Sequence, residues 1–453
     1  MDITKLPVLG YFLEKLDEAD FEYGIFATGL ATIMLIVFFT NTQYRIGTII
    51  SIIFYTAPIW LPWLSLKVFH AKYMDFVGKK LDISQGRVTL EIKIPQEVLK
   101  SPEAMETVIS QMWNKATPDN FWETYIDGKR PPRYGLEMVS FGGDVRFYIN
   151  TRVKKFKNIT ETQLYAQYPG IEVEELAVDY AAALQWDPDK YEYFSMHMRK
   201  KRDEEMPIKT YKENGLADMP KEEEKVDPMV ALVELLGTVK PHEKLCIQFI
   251  IFGHREAGIL EGNIYGPPPK AGEWKHRVQA KIDEVMGRNP EDRTAPAELE
   301  GTPRLTQSER EDAEALERAK SQYPYRVGIR WIYQAKKGHF NGDMLTVMLN
   351  AFRSFDTIGR QEIGMAWRTD FNYMWFSDPF GTEVFALKRQ ELVEYKLRKY
   401  FNKNQLGNTK IFTPEELATM FHLPGKVALT PTLNRIPSTR SEAPANLPTG
   451  NPS

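Results

Sequence analysis

Val88-Thr89-Leu90-Glu91-Ile92-Lys93-Ile94 sets an apolar residue at every second position, with Thr89, Glu91 and Lys93 between them. Successive side chains of a strand point to opposite faces, so the stretch reads as a half-buried strand starting at Arg87. Outward from it, Ser101-Pro102-Glu103 opens a helix, with Ser as N-cap and Pro in the first turn. Met105, Val108, Ile109, Met112 and Trp113 follow at helical spacing on one face. Residues 134–141 and 145–150 read as strands joined by Gly142-Gly143-Asp144, a hairpin signal. A helix over 159–168 stops at Pro169, and 171–176 is a last strand. The order β-α-β-β-α-β predicts a ferredoxin-like unit over 87–180.

A second α+β unit is expected over 186–428, as a degenerate duplicate of the first without a strict sequence repeat. Its strands are 191–198, the apolar run 245–252, 325–334 and 361–367, and its helices 227–236, 274–286, 306–322 and 341–355. Residues 206–225 read as a charged linker and 287–303, rich in Pro, Gly and charge, as a mobile loop. The Pro-rich tail 429–453 has little to bury and is expected to be extended or disordered. The fold class is therefore α+β.

Ahead of this body, 23–44 and 46–66 are uncharged stretches separated by a short polar link. Each has the length of a membrane-crossing helix, and the pair reads as a transmembrane hairpin over 23–66. A cleaved signal peptide fits poorly, and a buried hairpin is a weaker alternative. Pro58 and Pro62 also allow the second stretch to be re-entrant. Lys67, Lys72, Lys79, Lys80 and Arg87 follow it, in the juxtamembrane linker 67–86, against Arg45 alone in the connection. The positive-inside rule then puts both termini and the body in the cytoplasm of a multi-pass protein of the cell membrane, with the lipid bilayer as partner. Val8, Leu9, Phe12, Leu13 and Leu16 make the segment 1–22 amphipathic, as a helix lying on the membrane or docked on protein.

The 453 residues carry a formal net charge of −3, which gives no global pull toward nucleic acid. The runs Arg199-Lys200-Lys201-Arg202 and Lys154-Lys155 are phosphate contacts or, more commonly, a solvated face. Cys246 is the single cysteine, which excludes an intrachain disulfide and a cysteine zinc cluster. Within its apolar run it reads as a core residue rather than a nucleophile. No phosphate loop, dinucleotide fingerprint or nucleophile elbow occurs, and the seven histidines show no metal-binding spacing. His254 and Glu256 form a strand-end pair, read as a surface loop before a site. Asp370, Asp378 and Glu383 lie in an aromatic stretch, 367–385, that packs a core or faces a partner. No catalytic, cofactor or metal residue is assigned, and the chain is read as a non-enzyme.

Three sets of stretches carry a resemblance. The first is Leu90-Glu91-Ile92-Lys93-Ile94-Pro95, Leu136-Glu137-Met138-Val139-Ser140 and Gln163-Leu164-Tyr165-Ala166-Gln167-Tyr168-Pro169. The second is Asp227-Pro228-Met229-Val230-Ala231-Leu232-Val233-Glu234-Leu235-Leu236, with Lys240-Pro241-His242-Glu243-Lys244 and Gln248. The third is Pro414-Glu415-Glu416-Leu417-Ala418-Thr419-Met420-Phe421-His422-Leu423-Pro424-Gly425, with Ala443-Pro444-Ala445-Asn446-Leu447-Pro448. Together, over about 85–448, they resemble the membrane-tethered region before the motor in HerA-like, conjugative-transfer ATPases of type IV secretion-related systems. The motor's phosphate loop does not follow, so the resemblance implies the non-ATPase half alone, docking a separate HerA-like ATPase, with homo-oligomerisation a further expectation. The alternatives are a membrane scaffold unrelated to DNA transfer and a membrane enzyme with an unrecognised site. The aromatic stretch and the tail supply the expected partner-binding residues: Trp367, Phe371, Trp375, Phe376, Pro444, Leu447 and Pro448.

Overall fold

The hairpin Gly142-Gly143, with φ of 66° and 93°, turns β2 (Arg133–Phe141) back into β3 (Asp144–Thr151). Glycine, lacking a Cβ, takes positive φ at no steric cost, which suits both central positions of this two-residue turn. Around this hairpin the computed structural model builds one large sheet. It describes residues 46–95, 101–114, 116, 118–151, 153–216, 227–254, 274–287, 306–369, 381–400, 409–424 and 435–436. These fall into two compact units. Residues 46–84 and 116–130 belong to one, and the sheet with its helices to the other.

In the first unit, α1 (Ile46–Gln85) is a continuous helix. The second helix of the sheet-bearing region's numbering, α2 (Glu103–Met112), belongs to the other unit, and α3 (Phe121–Tyr125) to the first. Arg130 Nη2 donates to the Gly78 carbonyl at 2.6 Å, and the His70 and Tyr125 rings lie 5.9 Å apart.

The sheet unit begins with β1 (Val88–Pro95), where the alternation places it. It continues through β2, β3, α4 (Val153–Gln167), β4 (Glu172–Glu175) and β5 (Tyr191–Lys200). Next come α5 (Val230–Gly237), β6 (Glu243–Gly253), α6 (Trp274–Val285), α7 (Gln307–Ser321) and β7 (Tyr325–Lys336). The chain closes with α8 (Met344–Ala351), β8 (Ile363–Arg368), α9 (Thr382–Lys396), β9 (Lys410–Phe412), α10 (Pro414–Met420) and β10 (Arg435–Ile436). The strand order is β10-β1-β3-β2-β6-β7-β5-β8, with β4 also on β1 and β9 on β7. Every pairing is antiparallel except that of β10 with β1.

This architecture corrects two expectations. Separate ferredoxin-like domains over 87–180 and 186–428 behind a membrane hairpin are replaced by one uninterrupted sheet. β2 pairs with β6 from Arg133↔Phe252 to Phe141↔Lys244, so the supposed domain boundary is a full ladder of hydrogen bonds. On either side of that seam, β1 to β4 and β5 to β8 repeat one neighbour order, fourth-first-third-second. The transmembrane hairpin is corrected too. Residues 23–45 lie outside the described residues, and no helix among the described residues is long and apolar enough to cross a membrane. The multi-pass placement in the cell membrane loses its support with it.

One face of the sheet is apolar. Leu136, Met138, Phe147, Ile149, Ile247, Phe249, Ile329 and Trp331 are buried there with residues of α2, α5, α8 and α10. The opposite face is covered too: Tyr180, Leu184, Leu392 and Tyr395 pack on Val139, Tyr148, Cys246 and Ile332. Burial on both faces explains why β6 reads as a nearly continuous apolar run. Residues 206–216, expected as linker, are packed instead: Ile208 and Tyr211 are fully buried. The rest of that stretch lies outside the described residues, as do the loop 288–303 and the tail apart from β10.

Candidate functional site

The second face carries a row of polar side chains straight across the sheet. Register aligns Glu91 of β1 with Tyr148 of β3, Glu137 of β2, Gln248 of β6, Arg330 of β7, His197 of β5 and Trp367 of β8. Glu137, Gln248, Arg330 and His197 have no exposed surface. Each is a polar residue on the covered face of its strand, and burial of such a group is costly unless it is hydrogen-bonded.

Glu137 is fully occupied. Its Oε1 accepts from Gln248 Nε2 at 2.7 Å and Arg398 Nε at 3.0 Å. Its Oε2 accepts from the Tyr180 hydroxyl at 2.6 Å and Arg398 Nη2 at 3.0 Å. Four donors fill the four lone-pair sites of the carboxyl group. Because Tyr180 donates to Glu137, the 2.7 Å contact between the Tyr180 and Tyr395 hydroxyls has Tyr395 donating. Gln248 Oε1 in turn accepts from Arg330 Nη2 at 2.6 Å, which fixes the orientation of the amide.

Arg398 comes from the residue pair just beyond α9 and binds two acids. Its Nη2 donates to Asp179 Oδ1 at 3.0 Å and its Nη1 to Asp179 Oδ2. Burial would raise the Asp179 carboxyl, but the Arg398 guanidinium outweighs it and holds the group below the usual carboxylate range. Burial, and then the nearby Glu137, pushes the Tyr180 hydroxyl well up. Burial likewise pushes the Cys246 thiol up to about 12, so the lone cysteine is an inert core residue.

At the other end, His197 Nε2 donates to Glu391 Oε2 of α9 at 2.9 Å. Arg330 Nη1 lies 3.6 Å from the same oxygen, with its guanidinium 5.5 Å from the Tyr395 ring centroid and 5.6 Å from that of Tyr400. Here satisfaction is less complete: among the described residues, His197 Nδ1 and Arg330 Nε have no hydrogen-bond partner. Gly328 makes this end possible, because a Cβ there would stand 2.2 Å from the Tyr400 ring. The Asp179 end borders a cavity of about 420 Å³ lined by Arg146, Tyr148 and Tyr180.

A second buried polar cluster ties the chain's late segments to its middle. Lys200 Nζ lies 2.6 Å from Glu416 Oε1, which also accepts from the Ile208 amide at 2.9 Å. Glu416 closes the capping box of α10 with Thr413. Within the basic run 199–202, Lys200 is 1% exposed and turned inward, while Lys201 and Arg202 are exposed. His422 Nδ1 donates to the Ala418 carbonyl at 2.8 Å and its Nε2 meets Asp227 Oδ2 at 2.9 Å. With an acceptor on each nitrogen, the ring's surroundings favour the protonated form. Burial lowers its affinity for the proton, but the Asp227 charge and hydrogen bonds outweigh this and raise it.

Of the expected partner-binding residues, Trp367 sits on β8 with its ring 5.1 Å from His197, packed on the polar row. Phe371, Trp375, Phe376, Pro444, Leu447 and Pro448 lie outside the described residues, as do Glu256, Asp370 and Asp378. His254 donates its amide to the Pro324 carbonyl at 2.9 Å at the strand end. No cluster of three metal-binding side chains occurs among the described residues. The residues that sequence reading missed are Glu137, Arg330 and Arg398. For the first two the sequence offers a charge in mid-strand, at positions that only register brings into line.

Compared with known proteins, the chain matches no family model, and no curated protein matches it.

Proposed function

We propose that this chain is a non-catalytic platform that docks a separate HerA-like ATPase. Glu137 carries the reading. A carboxyl group that already accepts from four donors is spent on holding α9 to the sheet and is not placed to take a proton from a substrate. Its partners Gln248 and Arg398 are committed to the same task. A satisfied buried network rigidifies the elements it joins.

Clamped from beneath, α9 turns Phe385, Val393 and Leu397 outward, each nearly half exposed. They border a cavity of about 430 Å³ together with Arg389, Gln390 and Lys399. Large apolar side chains set among polar ones on a rigid helix have the make-up of a protein interface. The choice of partner rests on the sequence resemblance. Two of its stretches converge in space: Asp227 and Met229 meet His422. This supports a shared core that positions a partner.

Size-exclusion chromatography of the full chain mixed with a HerA-like ATPase encoded beside it tests the proposal. Co-elution is expected, with loss of co-elution in the Val393→Asp/Leu397→Asp variant at unchanged thermal midpoint. Separate elution of the wild-type chain and the ATPase overturns it.

A further inference from the structure

Phe69, Phe76 and Ile83 stand seven residues apart on α1 and are 66%, 62% and 81% exposed. Seven residues make two turns, so the three form one line along the helix. Lys72, Lys79 and Lys80, also exposed, follow the phenylalanines by three or four residues and lie on the same side. Leu66 and Val68 extend the exposed face, and Lys67 Nζ lies 5.3 Å from the Trp63 ring centroid. The inner side is distinct: Val77 is 3% exposed and Gly78 receives Arg130.

Charge decides what this face accepts. The exposed face carries Lys72, Lys79 and Lys80 against Asp75, which is paired with Lys79, while Lys67 is buried. A second copy laid on the face would bring lysines against lysines. An apolar protein groove would bury their amines without a partner. An anionic lipid surface suits both halves of the pattern: the rings enter the acyl boundary while the lysine stems reach back to the phosphates.

We propose that the outer face of α1, from Leu66 to Ile83, lies on the surface of an anionic bilayer, parallel to it and without crossing. The test is flotation of the full chain with vesicles of phosphatidylcholine alone or mixed with phosphatidylglycerol. Two variants are compared with the wild type: Lys72→Glu/Lys79→Glu/Lys80→Glu and Phe69→Ser/Phe76→Ser/Ile83→Ser. All six positions are exposed, and circular dichroism checks that folding is retained. Both variants are expected to bind phosphatidylglycerol vesicles at least roughly tenfold more weakly, and added salt to weaken the wild type. Wild-type affinity in both variants, or equal wild-type binding to both vesicle types, overturns the proposal. So does a wild-type dimer that ignores vesicles and becomes a monomer in the aromatic variant.

Discussion

Arg398, just past the end of α9, and Glu137, at the centre of β2, form a two-pronged ion pair, Nε to Oε1 and Nη2 to Oε2 both at 3.0 Å. Glu137 has no exposed surface and Arg398 is 3% exposed, so neither charge has water to fall back on. Breaking such a pair from one side strands a buried charge, which costs about 3–5 kcal/mol. Arg398→Met is expected to lose that much in urea unfolding. Arg398→Met/Glu137→Met should recover most of it. A double variant no more stable than the single one would remove the pair from the account.

Gly328 is expected to tolerate no side chain. The Gly328→Ala methyl would meet the Tyr400 ring, and overpacking of this kind costs about 1–3 kcal/mol. Gly328→Ala/Tyr400→Leu should regain part of the loss in thermal midpoint. An unshifted midpoint in the single variant contradicts the close approach.

Cys246 is fully buried, with its thiol pushed up to about 12. It is expected to ignore a disulfide reagent in the native protein at neutral pH and to react fully in denaturant. Rapid native labelling would place it at the surface.

The pair His422 and Asp227 links pH to stability, and the two signs oppose. The His422 pKa is raised from 6.5 in the folded protein, so its contribution is fully present below that value and is lost as pH rises through the folded pKa. The Asp227 pKa is lowered from 3.8 by the His422 imidazolium against the effect of burial, so its contribution is present above that value and is lost as pH falls. Unfolding free energy should decline on the alkaline side in the wild type. In His422→Gln that decline should be smaller. Parallel pH profiles for the two proteins would show that the ring is not charged in the native state.

Much of the sheet is legible in short stretches. The alternation of Val88 to Ile94 and the two glycines at Gly142 and Gly143 mark β1 and the β2–β3 hairpin from local chemistry alone. The seam between β2 and β6 is not legible, because Arg133 and Phe252 become neighbours only through the global fold. α9 escaped for another reason. Its inner side mixes Leu392 and Tyr395 with the buried Glu391 and Glu394, while Phe385 and Val393 face outward. With apolar and charged residues on both sides, the helix shows no clean apolar stripe in its sequence. The polar row was hidden likewise, since polar residues on separate strands have meaning only once register aligns them.

The outer side of α9 as the docking face is the central claim, and amide hydrogen exchange of the full chain with and without the HerA-like ATPase tests it most directly. The account expects slowed exchange over residues 385–397 on adding the ATPase, with the already buried strands β2, β6 and β7 unchanged. Exchange over 385–397 that stays the same while the ATPase is bound, or protection confined to another surface, would contradict it.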